Sequence, residues 1–175
     1  MKKSEYVIHF SGIKEETETF EYSLGDSFFR DFKSIEWEGG RIGAVVRVGR
    51  RPDGLTLDFE LNGELTVICD RCLESFPYPV NTCQRLFVKY GSQFEELTED
   101  VVVVAKEDNQ LELSGFLYEY LVLALPVKRV HPDDTSGKSG CNETMIKRLE
   151  QHLVTEKTEK TDPRWDDLKK LMDKN

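Results

Sequence analysis

An α+β fold is expected, with an antiparallel sheet of about five to seven strands, open or curling toward a barrel, and helices packed over it. Three observations predict it. Residues 55–69 alternate apolar and polar almost without error: Leu55, Leu57, Phe59, Leu61, Leu65, Val67 and Cys69 share a face, with Gly63 the single gap. Strict alternation is the period of a half-buried strand. That run enters Cys69-Asp70-Arg71-Cys72, and a second one (Val80, Thr82, Leu86, Val88, Tyr90) leaves it. Phe116, Leu117, Tyr120, Leu121, Ala124 and Leu125 then recur at helical spacing before Pro126, the pattern of an amphipathic helix stopped by proline.

The elements follow in order. Tyr6, Ile8 and Phe10 form a short strand pattern, 12–16 reads as a turn, and Phe20, Tyr22 and Leu24 alternate again. Asp26 or Ser27 caps a short helix that puts Phe28, Phe29 and Phe32 in the core. Residues 41–50 form a strand with Ile42, Ala44, Val46 and Val48 on one face, and Pro52-Asp53-Gly54 turns it into the 55–69 strand. With 76–90, three consecutive antiparallel strands result. An acidic loop over 91–100 precedes Val101–Ala105, a continuous β-branched run suited to a strand buried on both faces. Leu111 and Leu113 are expected to pair briefly with that strand, and Ser114 to cap the helix. Asn142 caps a further helix with Met145, Ile146, Leu149 and Leu153 on one stripe. The domain division is 1–154 as a single α+β domain, 155–161 as a linker, and 162–175 as an amphipathic C-terminal helix. That last helix starts at Asp162-Pro163 and has Trp165, Leu168, Leu171 and Met172 as its apolar stripe.

The chain has 175 residues, 33% of them charged, and a formal net charge of −9. The composition is that of a soluble globular protein. The acidic balance argues against non-specific nucleic-acid binding over the whole surface. It leaves room for a local basic patch or a basic protein partner. No apolar run reaches the roughly 20 residues of a membrane span, and no apolar signal segment follows Met1, so a cytoplasmic location is expected. Four cysteines in a reducing compartment are more often free, metal-bound or redox-active than paired.

Two constellations carry chemistry. Cys69, Cys72, His131 and Cys141 form the first. A Cys-x-x-Cys in a tight turn can aim two thiolates at one point, and structural zinc takes four Cys or His ligands. The plainer reading is that Cys69 and Cys72 stabilise a turn and Cys141 is a small buried residue. Cys83 reads as a structural free thiol. A redox use of the pair lacks the following helix N-terminus that lowers a thiol pKa. The second constellation is basic: Arg41, Arg47, Arg50 and Arg51 crowd one strand, with Arg71, Arg85, Lys89, Lys128 and Arg129 expected near the other end of the sheet. Arginines beside aromatics grip phosphates and stack on bases. The plainer reading is a solvated face with cross-strand partners at Asp58, Glu60 and Glu64. No catalytic set emerges: there is no Gly-x-Ser-x-Gly and no His-Glu-x-x-His, and Gly137-Lys138-Ser139 lacks the strand and first glycine of a phosphate loop. An enzyme and a small-molecule substrate are therefore not expected.

The order Cys69-Asp70-Arg71-Cys72-Leu73-Glu74, then Leu121-Val122-Leu123-Ala124-Leu125-Pro126, Val130-His131, Cys141 and Asp162-Pro163-Arg164-Trp165 resembles the YceD family of large ribosomal RNA subunit accumulation proteins. The resemblance spans most of 10–172. It implies a bacterial cytosolic factor without enzymatic activity, needed for normal accumulation or processing of large-subunit (23S) ribosomal RNA. The positions matching the family are Cys69, Arg71, Cys72, Pro126, His131 and Cys141. Two modes of action follow. In one, the chain touches ribosomal RNA or its precursor locally, through Arg41, Arg47, Arg50, Arg51 and Arg71 beside the cysteine turn. In the other, its acidic surface is an adaptor for a basic ribosomal protein, with electrostatics raising the on-rate. A zinc enzyme is disfavoured because no general base is in evidence.

Overall fold

The long alternating runs dictate a sheet with one buried and one wet face. A computed structural model of the chain describes residues 5–10, 13, 17–32, 34, 36–105, 107–133, 135 and 137–153. The chain divides into two compact units, Met1–Cys141 and Asn142–Asn175. The 155–161 linker and the 162–175 helix lie outside the described residues, as does most of the 12–16 turn.

In the first unit, β2 (Thr17–Leu24), β3 (Gly39–Arg51), β4 (Gly54–Ile68), β5 (Ser75–Gly91), β6 (Glu95–Thr98) and β7 (Val101–Ala105) form one sheet in the order β2-β3-β4-β5-β7-β6. β2 and β6 are its edges, so the sheet is open and not a barrel. β1 (Val7–His9) pairs with β8 (Gln110–Glu112) in a separate two-stranded sheet. The sheet is antiparallel except at one pair, and one expected pairing is corrected. β7 runs parallel to β5, with Phe87 opposite Val101 and Gly91 opposite Ala105. The chain passes first to the outer strand β6, and the Glu99-Asp100 turn then folds β7 back between β6 and β5. Leu111 pairs with Ile8 of β1 and not with β7. In β7 itself, Val102 and Val104 are buried and the alternate residues half-buried.

The inward faces of β3, β4 and β5 carry the core: Ile42, Val46, Leu57, Phe59, Leu65, Leu86 and Val88 are nearly inaccessible. Helix α1 (Asp26–Asp31) buries Phe28 and Phe29, and α2 (Ser114–Ala124) buries Phe116, Leu117, Tyr120 and Leu121. Phe59 and Tyr120 meet edge-on at 5.1 Å, and Phe32 stacks on Tyr118 at 5.2 Å, which joins α1 to α2. Gly63 is the gap in the β4 alternation for a steric reason. Its φ is +155°, and a Cβ there would overlap the Arg41 carbonyl oxygen on β3. In the second unit, α3 (Glu143–His152) is capped by the Asn142 side chain, which accepts from the Thr144 and Met145 amides.

Candidate metal centre

The β4–β5 hairpin is long, and its turn is where the four candidate ligands gather. Cys69 and Cys72 stand at the end of β4. The Leu73 amide donates to the Cys69 carbonyl at 2.9 Å, and the Cys69 amide donates to the Glu74 carbonyl at 3.0 Å. Leu73 takes a left-handed φ of 61°, which reverses the chain in few residues. This turn leaves both sulfurs on one side.

His131 and Cys141 come from the irregular segment after α2. Asp70, inside the Cys-x-x-Cys, fixes its start: its amide donates to the Arg129 carbonyl at 2.7 Å, and its carboxylate accepts from the Arg129 amide at 2.6 Å. The Arg129 guanidinium reaches the Glu36 carbonyl at 2.9 Å and pairs with the Glu36 carboxylate, only 18% of its side chain remaining exposed. His131 follows two residues later, its ring 4.5 Å from that of Phe76. Between His131 and Cys141 the described residues double back. Asp133 bridges Ser139, and the Gly140 amide donates to the Pro132 carbonyl at 3.2 Å. A Cβ on Gly140 would stand 2.7 Å from the Pro132 oxygen, so glycine permits the close return. The wide spacing in sequence is thus no spacing in space.

All four ligand atoms lie within 4.8 Å of one another. Tetrahedral zinc with Zn–S bonds of about 2.3 Å and a Zn–N bond of about 2.0 Å sets ligands about 3.8 Å apart for two sulfurs and about 3.5 Å for sulfur and nitrogen. The Cys69 and Cys141 sulfurs are 3.7 Å apart, and the Cys72 sulfur is 3.3 Å from His131 Nδ1. The sulfur separation is far beyond a disulfide, and all four cysteines are free. Burial pushes the Cys69 thiol up, but backbone N–H groups of Cys72, Arg71 and His131, with the His131 side chain, outweigh it and hold it at about 6. Cys141, buried with few donors beside the other thiols, is raised. The donors around Cys69 favour its thiolate, the form in which cysteine ligates a metal. The set suits zinc in a closed, four-ligand arrangement.

The basic constellation does not converge. β4 covers fifteen residues, about 50 Å at the rise of an extended strand, with the cysteine turn at one end and Arg50 and Arg51 at the other. Arg71 is therefore remote from them. Arg47 bonds Glu60 at 2.9 Å, and Arg51 lies 3.6 Å from Asp53 and 5.5 Å over the Phe87 ring. Arg41 faces Glu64 across the strands. Arg50 belongs to the other side of β3 and donates to the Ile13 carbonyl. Arg85 and Lys89 stand opposite Asp58 and Gly54, at the Arg51 end and not near the cysteine turn as expected. Arg129 is committed to its latch. Sequence reasoning missed the part played by Asp70, Glu36 and Arg129; the only signal was position, inside the Cys-x-x-Cys and two residues before His131. Cys83 is exposed on β5, away from the site residues in the pairing register.

Among the described residues no helix is long and apolar enough to cross a membrane. No curated protein and no solved structure matches the chain. A protein family does, over residues 57–172, and all four ligands fall inside that stretch. The match covers more than half of the sequence, and the chain belongs to that family, YceD, described as the large ribosomal RNA subunit accumulation protein.

Proposed function

We propose that the chain is a non-enzymatic, cytoplasmic ribosome-biogenesis factor, needed for accumulation or processing of large-subunit (23S) ribosomal RNA. It works as a binding scaffold held together by structural zinc at Cys69, Cys72, His131 and Cys141. The observation that carries this reading is the family match over 57–172. Cys69, Cys72, His131 and Cys141 would fill every position of a tetrahedral ion and leave none for a reacting water, so the ion's part would be structural. It ties the β4–β5 turn to the 129–141 segment. The mode of action we favour is the adaptor, which engages a basic ribosomal protein. In support, Arg47 and Arg85 already hold Glu60 and Asp58, and the net charge of −9 repels a polyanion. Local RNA contact through Arg41, Arg51 and Arg71 is the second reading, favoured by the Arg51 guanidinium over Phe87.

Depletion of the protein in its own host tests the assignment, with large- and small-subunit rRNA quantified together. Large-subunit rRNA is expected to fall relative to small-subunit rRNA. Wild type should restore it, and a Cys69→Ser, Cys141→Ser chain should not. An unchanged ratio on depletion overturns the assignment.

A further inference from the structure

A groove runs along the outer part of the sheet, between β6, β7 and α2. Two cavities of about 540 and 460 Å³ share Glu96, Phe116 and Glu119 and so lie side by side. Five carboxylates line them, those of Glu96, Glu99, Asp108, Glu112 and Glu119, and among the described residues no Lys or Arg does. Between the acids the groove is apolar. Val102 and Phe116 are buried in it, while Phe94 and Leu123 stand 51% and 71% exposed at its margins. Tyr120 also lines it and is 5% exposed, yet its phenolic oxygen has no hydrogen-bond partner among the described residues. A buried hydroxyl without a partner is uncommon and calls for one. β6, at the groove's edge, is the last strand of the sheet, and all four of its residues are exposed.

We infer that this groove is the docking site for a basic peptide segment with apolar anchors, supplied by a partner protein. The inference deepens the adaptor reading and rests on it. Charge complementarity selects the occupant. A carboxylate-rich lining with no Lys or Arg among its described residues repels a nucleic acid and attracts lysine and arginine. Phe94 and Leu123 offer apolar area of the kind that anchors an interface. A purely hydrophobic partner would leave the carboxylates desolvated and unpaired.

The test uses the full-length chain and two fluorescein-labelled probes, an amphipathic lysine/leucine peptide and a lysine/serine peptide of equal charge, read by fluorescence anisotropy. The lysine/leucine probe is expected to bind, weakening as salt rises, and the lysine/serine probe to bind about tenfold more weakly. Glu96→Lys with Glu119→Lys is expected to cost about tenfold in affinity, and Leu123→Ser a smaller loss. Glu21→Lys with Glu64→Lys, which changes the net charge equally elsewhere, should leave binding unchanged. Equal losses from both pairs of reversals would show that bulk charge alone attracts the probe and would overturn the inference. So would a groove variant that binds as wild type. In either case a persisting loss of large-subunit rRNA on depletion leaves the family assignment standing, so the two failures are distinguishable.

Discussion

Arg129 offers the sharpest test of how the candidate metal centre is built. Arg129→Met keeps most of the side chain's length and its apolar stem but removes the guanidinium. What disappears is a charged hydrogen bond to the Glu36 carbonyl at 2.9 Å, the ion pair with the Glu36 carboxylate and a longer one to the Asp70 carboxylate at 3.7 Å, in a site where 18% of the arginine, 34% of the Glu36 and 38% of the Asp70 side chain are exposed. A hydrogen bond to a charged group contributes about 1.5–3 kcal/mol. Partial exposure of Glu36 argues for the middle of that range, so the loss is about 2 kcal/mol. With a urea m-value of about 2 kcal/mol/M, the unfolding midpoint should drop by about 1 M. Because the Arg129 backbone sets the approach of His131, zinc affinity in a chromophoric chelator competition should also fall about ten- to hundredfold. Arg85→Met removes an equally short ion pair, to Asp58, but a more exposed one, with 61% and 41% of the two side chains open to solvent, and should move neither quantity. An Arg129→Met chain that unfolds and binds zinc like the Arg85→Met control would refute the latch.

Further outcomes are expected. Protein purified without chelator should carry about one zinc per chain; only Cys83 of the four thiols should then react quickly with a thiol reagent, and all four after chelation. Full reactivity before chelation would count against the closed site. Gly63→Ala should cost at least about 2–3 kcal/mol in urea unfolding, because the added Cβ meets the Arg41 carbonyl at a left-handed φ; a neutral result would contradict the β3–β4 register. Tyr120 is pushed up to about 12 by burial, with Glu119 and Asp100 adding to it, while the unfolded phenol ionises near 10.0. Between those values the folded state keeps a proton that the unfolded state has lost, so stability falls as pH rises from 10 to 12. Tyr120→Phe should flatten that slope and leave neutral-pH stability unchanged or slightly higher, the unpartnered hydroxyl being gone; an unaltered alkaline slope would assign it to another group.

The three central strands were legible because their period of two is written directly in the side chains, from Ile42 to Val48 and from Leu55 to Cys69. Strand pairing beyond them was not. The β-branched run 101–105 suits any inner strand, and nothing in it says that β7 lies parallel to β5 or that Leu111 turns to Ile8. Those outcomes depend on how the short β6 and the Glu99-Asp100 turn fold back, which is a tertiary matter. The four candidate ligands were legible from chemistry, since Cys and His are the residues that structural zinc takes. Their convergence across the 131–141 gap was not, because the bridge between Asp133 and Ser139 and the close return at Gly140 are set in space. The arginines misled for the same reason. Nearness in sequence, 41 to 51, suggested one patch, whereas strand parity turns Arg50 to the other side and strand length carries Arg71 far away. The acidic groove left no local sign: its carboxylates come from β6, the Glu99-Asp100 turn, the 107–112 segment and α2.

The measurement that bears most directly on the function is in-cell crosslinking of the tagged full-length protein, reading attached protein and attached RNA together. The adaptor reading expects crosslinks from the β6–α2 groove to a basic ribosomal protein of the large subunit, lost in the Glu96→Lys, Glu119→Lys chain. Crosslinks confined to ribosomal RNA, made through Arg41, Arg51 or Arg71 and unaffected by that double substitution, would contradict it and make this a direct RNA-binding factor.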